Sequence, residues 1–149
     1  MRVLCFDLGS KRVGVAISDE KGWLARPLLT YLRIGPRQDV DNLARLALKE
    51  DVGLIVLGLP LSLNGDEGPE ALKAKAFGAT LAAATTTPIT YWDERLTTVE
   101  AHNTMEALGI PMRKRKEKID QVAAAVILQA YLDSNPQEEL PPWARRNML

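Results

Sequence analysis

Three short runs of the chain are apolar almost from end to end: residues 2–8 (Arg-Val-Leu-Cys-Phe-Asp-Leu), 13–18 (Val-Gly-Val-Ala-Ile-Ser) and 53–59 (Gly-Leu-Ile-Val-Leu-Gly-Leu). Runs of this length without polar alternation belong to strands covered on both faces, as in a sheet flanked by helices. A chain of 149 residues with 46% hydrophobic content can build one such core. One domain over 1–135 is therefore predicted, followed by a Pro-rich C-terminal tail over 136–149.

The connections between the runs give their order. Gly9-Ser10-Lys11-Arg12 is short enough for a hairpin, so the first two strands are antiparallel, and a third extended run over 28–34 after Lys21-Gly22 closes a meander. Pro36 opens a helix whose Val40, Leu43, Ala44, Ala47 and Leu48 share a face. The apolar run 53–59 follows, then a Gly/Asn/Pro loop over 60–69, an Ala-rich helix over 70–84 and a short strand over 88–92. Thr97 and Glu100 form a capping box for a helix over 97–108, which Gly109 and Pro111 end. Ile119, Val122, Ala123, Val126, Ile127 and Ala130 form the stripe of a last helix over 117–133. The order predicts an α/β fold of the ribonuclease-H-like kind: a mixed sheet with an antiparallel three-strand meander plus two parallel strands, and helices on both faces.

Composition excludes several kinds of chemistry. The single cysteine, Cys5, lies in an apolar run, where a thiol behaves as a small hydrophobe without a disulfide partner. That suits a reducing, cytoplasmic setting. No signal-like start and no run of 18 apolar residues predicts secretion or membrane insertion. The single histidine, His102, falls inside a predicted helix, zinc and thiol chemistry lack ligands, and no Gly-x-x-x-x-Gly-Lys loop offers a nucleotide site. Formal charge is zero, with 19 basic and 19 acidic residues, so binding to a polyanion has to be local.

Three acids stand out. Asp7 interrupts the end of a buried strand, where a carboxylate is costly unless compensated. Glu94 follows a strand predicted to be parallel to its neighbour, where ligands gather beyond the carboxyl ends of α/β sheets. Asp120 lies on the margin of the apolar stripe of the last helix, able to look toward the sheet. Taken singly, each has an ordinary structural role: a turn residue, a polar strand exit, an acid favoured by a helix dipole. Together they offer hard oxygen ligands suited to Mg²⁺ or Mn²⁺, and two such ions ~4 Å apart can activate water against a phosphodiester.

Four blocks in order carry a resemblance over nearly the whole chain: Phe6-Asp7-Leu8-Gly9-Ser10-Lys11-Arg12-Val13-Gly14-Val15-Ala16; Gly58-Leu59-Pro60 with Gly65; Asp93-Glu94-Arg95-Leu96-Thr97-Thr98; and Lys118-Ile119-Asp120-Gln121-Val122-Ala123-Ala124 with Ile127-Leu128-Gln129. In these the chain resembles the YqgF/RuvX family. The resemblance implies a ribonuclease-H-like fold related to Holliday-junction resolvases and a divalent-metal-dependent nuclease activity. It implies a role in maturing the 5′ end of pre-16S ribosomal RNA or, alternatively, in resolving branched DNA. It assigns Asp7, Glu94 and Asp120 as catalytic and metal-binding acids. Junction resolvases commonly use a fourth acid, and none is obvious here, since Asp93 is predicted on the opposite strand face.

Cations accompany each acid: Lys11 and Arg12 after Asp7, Arg95 after Glu94, and Lys118 before Asp120. With Arg113, Lys114, Arg115 and Lys116 they are expected to bind the phosphates of structured RNA or branched DNA. A resolvase acting on two symmetric strands would be a homodimer. Two other readings stay open: an ATP-binding domain of the actin and sugar-kinase class, whose first strand also ends in Asp-x-Gly, and a non-catalytic nucleic-acid-binding module on the same fold.

Overall fold

The computed structural model describes residues 1–97, 103, 106, 107, 109 and 119–136. Five strands form one sheet in the order β3-β2-β1-β4-β5. β1 (Val3–Leu8) pairs antiparallel with β2 (Arg12–Ser18), and β2 pairs antiparallel with β3 (Ala25–Leu32). β4 (Leu54–Leu59) lies parallel to β1, and β5 (Ile89–Asp93) lies parallel to β4. The predicted mixed sheet, a meander with two parallel strands added, is therefore present.

Alternation along the strands sends successive residues to opposite faces. Leu4, Phe6, Val13, Val15, Ile17, Ile55 and Leu57 pack against α1 (Pro36–Lys49) and α2 (Pro69–Ala84). Val3, Cys5, Ala16, Val56 and Trp92 pack against α3 (Ile119–Ser134) on the other face. Phe6, Leu4, Ile17 and Leu43 are among the largest fully buried side chains. Each is worth roughly 1.5–3 kcal/mol relative to exposure. No described helix is long and apolar enough to cross a membrane.

Several local expectations are corrected. β3 begins at Ala25 rather than 28, because the Asp19 carboxylate accepts hydrogen bonds from Trp23 N (2.7 Å) and Leu24 N (3.1 Å) and folds the turn so that pairing resumes at once. Pro27 is accommodated on this edge strand opposite Ala16, next to a bulge at Leu28 where the register shifts between Val15 and Ala16. On α1, Val40, Leu43 and Ala47 are buried, but Leu48 is 81% exposed, its place toward the core taken in part by Leu46. On α3, burial extends well beyond the predicted stripe to Ala124, Ala125, Leu128 and Gln129, while Ile119 at the first turn is exposed. Thr97 Oγ1 is buried without a hydrogen bond, so its half of the expected capping box is not made. Of the helix predicted over 97–108, Asn103, Glu106 and Ala107 are helical, and Gly109 at φ +82° bonds Glu106 O as the predicted stop. The remainder of that helix, with His102, lies outside the described residues.

A buried amide ties α3 to the meander. Gln129 Oε1 accepts from Ala25 N (2.9 Å), and Nε2 donates to Trp23 O (3.1 Å) and to Asp133 Oδ1 (2.9 Å). Gln129→Leu keeps the volume but strands the buried Ala25 N–H. We expect a loss of about 1–3 kcal/mol in urea unfolding, whereas Leu48→Ala, at an exposed position, should stay within about 0.5 kcal/mol of wild type.

Candidate metal and nucleic-acid site

Asp7 lies near the carboxyl end of β1, directly opposite Gly14 of β2. Alternation from Val3 and Cys5 places it on the α3 face. Gly14 is where α3 meets the sheet: a Cβ built there would stand 1.9 Å from Asp120 O and 3.1 Å from Gln121 N. No side chain fits that gap, so glycine is what lets the first turn of α3 rest on β2 beside Asp7. Asp120 thereby reaches the site, its side chain about one-third exposed.

Glu94 arrives from the other side. β5 ends at Asp93, and Glu94–Leu96 form one 3-10 turn. A Cβ on Gly58 of β4 would lie 3.3 Å from the Glu94 carboxyl carbon and 3.3 Å from its Oε2. Gly58 follows Val56 on the α3 face, so the missing side chain leaves the slot that Glu94 fills. Asp93, the expected odd one out, follows Tyr91 to the α2 side, where the Tyr91 hydroxyl reaches Lys75 O.

The electrostatics register the convergence. Burial, and then the negative charge of Asp120, push the Asp7 carboxyl up from 3.8 to about 6. Burial, then the charges of Asp7 and Asp93, push Glu94 up from 4.5 to about 7. Cys5, fully buried two residues before Asp7, is raised by burial and then by the Asp7 and Glu94 charges, an inert thiol beneath the acids. Neither Asp7 nor Glu94 makes a side-chain hydrogen bond or ion pair with a described residue. Asp39 shows the contrast. It is only 1% exposed and burial works to raise it, yet hydrogen bonds from Ile34 N, Arg33 Nε, Tyr31 Oη and Gly35 N outweigh this and hold it below the ordinary value.

The chemistry of these donors fits a hard divalent cation. Asp120 makes ionisation of Asp7 harder and Asp7 makes ionisation of Glu94 harder, with no counter-charge on Asp7 or Glu94 among the described residues, and a cation beside them would relieve both. Among the described residues no group of three His, Cys, Asp or Glu side chains is placed to hold a metal ion, so Asp7, Glu94 and Asp120 are neighbours in charge without forming a three-ligand cluster. An open set of this kind suits Mg²⁺ and Mn²⁺, which bind through one or two carboxylates with water and substrate phosphate completing the shell.

The cations predicted from sequence divide. Arg12 stands beside Asp120, Nη1 to Oδ2 3.9 Å, with its own side chain 60% exposed. Lys11 lies exposed at the hairpin, its carbonyl accepting from Arg33 N at 3.0 Å. Arg95, expected to meet phosphate, is held by Asp93: Nη2 donates to Oδ2 at 2.6 Å, Nε to Oδ1 at 3.0 Å, and Nη1 reaches Leu63 O at 3.4 Å. It clamps the loop before α2 to the turn carrying Glu94. Lys118 and the run Arg113, Lys114, Arg115 and Lys116 lie outside the described residues. Sequence reasoning missed the close contacts at Gly14 and Gly58 and also Arg33, whose Nη1 donates to Gly9 O at 2.9 Å. For the glycines the only signal is their placement in strands that are otherwise bulky.

Comparison with known proteins places this geometry. The model of the family described as "RuvX: Holliday junction resolvase" matches residues 1–134. A protein of Syntrophus aciditrophicus named "Putative pre-16S rRNA nuclease" is 45% identical over 141 residues, covering 95% of this chain and 94% of the relative. One of the same name from Thermoanaerobacter pseudethanolicus is 44% identical over 135 residues, covering 90% and 97%. Among solved structures, RuvC of T. thermophilus in complex with a Holliday junction substrate superposes with a TM-score of 0.56 at 12% identity, covering 91% of this chain and 97% of that one. The fowlpox virus resolvase with Holliday junction DNA gives 0.53 at 14% identity, covering 92% and 100%. The ribonuclease-H-like arrangement expected from element order is the one these resolvases share.

The acids give the metal-free protein a characteristic pH dependence. Their folded pKa values lie above the unfolded ones, so their contribution to stability is fully present below about pH 4 and is lost as pH rises through about 6 for Asp7 and about 7 for Glu94. In EDTA, melting temperature should therefore fall between pH 5 and 8, and Asp7→Asn should flatten that fall by stabilising the protein selectively at pH 8. Parallel pH profiles for the two proteins would show that Asp7 carries no such charge conflict.

Proposed function

This chain belongs to the RuvX family, and from that premise we propose that it is a divalent-metal-dependent nuclease that hydrolyses phosphodiester bonds in a structured nucleic acid. The observation that carries the reading is the pair of half-buried carboxylates, Asp7 and Glu94, which no described residue pairs, with Asp120 close enough for its charge to raise Asp7. A module that only bound nucleic acid would gain nothing from acids facing phosphate. The actin-like alternative has no support in the family match.

Asp7, Glu94 and Asp120 are the residues that would hold Mg²⁺ or Mn²⁺. Such an ion, when bound, would supply Lewis acidity for activating water and offsetting phosphate charge. The chain's own contribution is to position: Gly14 fixes the start of α3 and so Asp120, Gly58 makes room for Glu94, and the Asp93–Arg95 clamp holds the turn from which Glu94 projects. Arg12 and Lys11 provide exposed positive charge on the hairpin rim, suited to the backbone phosphates flanking the cut.

The substrate we propose is the 5′ end of the small-subunit ribosomal RNA precursor, on the strength of relatives bearing that name at 42–45% identity. A second reading, branched DNA, is favoured by the family's own description and by the resolvase fold; it would call for a two-fold homodimer so that two strands are cut symmetrically.

Asp7→Asn and Asp120→Asn should each abolish cleavage of labelled precursor RNA or four-way-junction DNA in Mn²⁺. Binding of the same substrates should remain or tighten, because a charge repelling phosphate is gone. Wild type that cuts neither substrate faster than Asp7→Asn would sink the nuclease reading. Sedimentation of the protein with each substrate tells the two readings apart, a dimer on the junction supporting the second.

A further inference from the structure

A cavity of about 290 Å³ opens on the reverse face of the sheet from the acids, between α1, α2 and the β1–β2 hairpin. Its floor is apolar, made by Leu8, Val40, Ala74 and Phe77. Its rim carries Arg33, Lys73 and one carboxylate, Glu70, and the hairpin contributes Ser10. The size sits just below the ~300–1,000 Å³ range of small-molecule pockets, too small for a duplex and suited to one flat group.

Arg33 is held in place on three sides. Its guanidinium carbon lies 5.8 Å from the centre of the Phe77 ring, Nε donates to Asp39 Oδ2 at 3.1 Å, and Nη1 donates to Gly9 O at 2.9 Å. A guanidinium plane backed by an aromatic ring and locked by a buried carboxylate is a stacking platform whose side-chain entropy is already spent, and unpaired bases stack on such planes. Lys73 has only an exposed 3.4 Å contact with Glu70, weak enough for a phosphate to displace. Arg33 N bonds Lys11 O at 3.0 Å, so the cavity rim adjoins the hairpin cations. Arg12, Lys11, Arg33 and Lys73 thus mark a path from Asp120 around the hairpin tip to the cavity.

We propose that this cavity seats one unpaired nucleobase of the substrate strand, stacked on the Arg33 guanidinium with the adjoining phosphate on Lys73. The proposal rests on the nuclease reading above and deepens it: the preferred substrate carries a single-stranded segment next to the duplex or branch. The apolar floor argues for a base rather than a bare anion, which would need only the cations.

The test is fluorescence anisotropy with two labelled duplexes, one blunt and one with three unpaired nucleotides at an end, in EDTA so that nothing is cut. Wild type should bind the tailed duplex about tenfold more tightly, the contribution expected of one stacked base. Thr80→Trp, from an exposed helix position lining the cavity, fills it with an indole and should reduce tailed binding to the blunt level. Ala76→Trp does the same from the neighbouring turn should Thr80→Trp fail to fold, and Lys73→Ala should remove part of the preference. Tailed binding by either filled variant as tight as wild type overturns the proposal, as does an equal loss on both duplexes. Separate cleavage assays in Mn²⁺ distinguish the two readings. Tail preference without cutting would sink the nuclease assignment alone, and cutting with the preference unchanged in Thr80→Trp would sink the cavity alone.

Discussion

The contact on which the site depends is the one between Gly14 and the backbone of Asp120, closer than any side chain would allow. Helices normally stand off a sheet by the length of the intervening side chains. Here Gly14 and Ala16 on β2, facing a helix that brings Ala124 and Ala125 to the same core, let α3 lie almost on the strand. Because Gly14 is the register partner of Asp7, this close approach delivers the acid of the helix to the acid of the central strand. Farther along α3, Gln129 secures the helix to the meander by bonding the backbone of Trp23 and Ala25, so its direction is set at both ends.

The fold treats its buried acids in two opposite ways, and the difference separates scaffold from site. Asp39 is the most buried of them and receives four hydrogen bonds, so its charge organises the approach to α1 and stabilises the ionised form. Asp7 and Glu94 have no partner among the described residues and are left with partial burial and neighbouring negative charge, Asp120 acting on Asp7 and Asp7 with Asp93 on Glu94. An arrangement that makes ionisation harder at each acid works against stability unless a cation completes it. The same opposition governs the arginines. Arg33 and Arg95 are spent on carboxylates and backbone carbonyls, and Arg12, mostly exposed and 3.9 Å from Asp120, keeps its charge toward solvent.

Much of this was readable from the chain, and the failures have physical causes. The central strands declared themselves because burial on both faces leaves no polar position, which also made Asp7 conspicuous. The antiparallel meander and the parallel additions followed from connection lengths alone. The start of β3 was missed because one side chain, Asp19, folds the turn without help from a recognisable dipeptide. Leu48 was assigned to the core because periodicity defines a face but not how far around it the neighbouring elements reach. The pairing of Arg95 with Asp93 was not readable, because proximity in sequence to Glu94 is all a string shows and the 3-10 turn that folds it onto Asp93 is a matter of backbone geometry. Residue pattern and family resemblance both pointed to the three acids, yet neither shows the fit of Gly14 to Asp120, which joins residues far apart in the chain.

Placing the acids at the carboxyl ends of β1 and β5 has a further consequence for how a strand can approach. On the α3 face the helix and the sheet close the site from below, and Cys5 and Trp92 fill the space beneath it with apolar atoms. The hairpin borders the site, its tip pinned by Gly9 N to Arg12 O at 2.8 Å and by Arg33 to Gly9 O and Lys11 O. A hairpin tied at three points is a fixed edge, with exposed Lys11 and Arg12 on its outer side and the carboxylates on its inner side. Negative charge on the inner side of the hairpin and positive charge on its outer side are thus kept apart, in a chain whose net charge is zero.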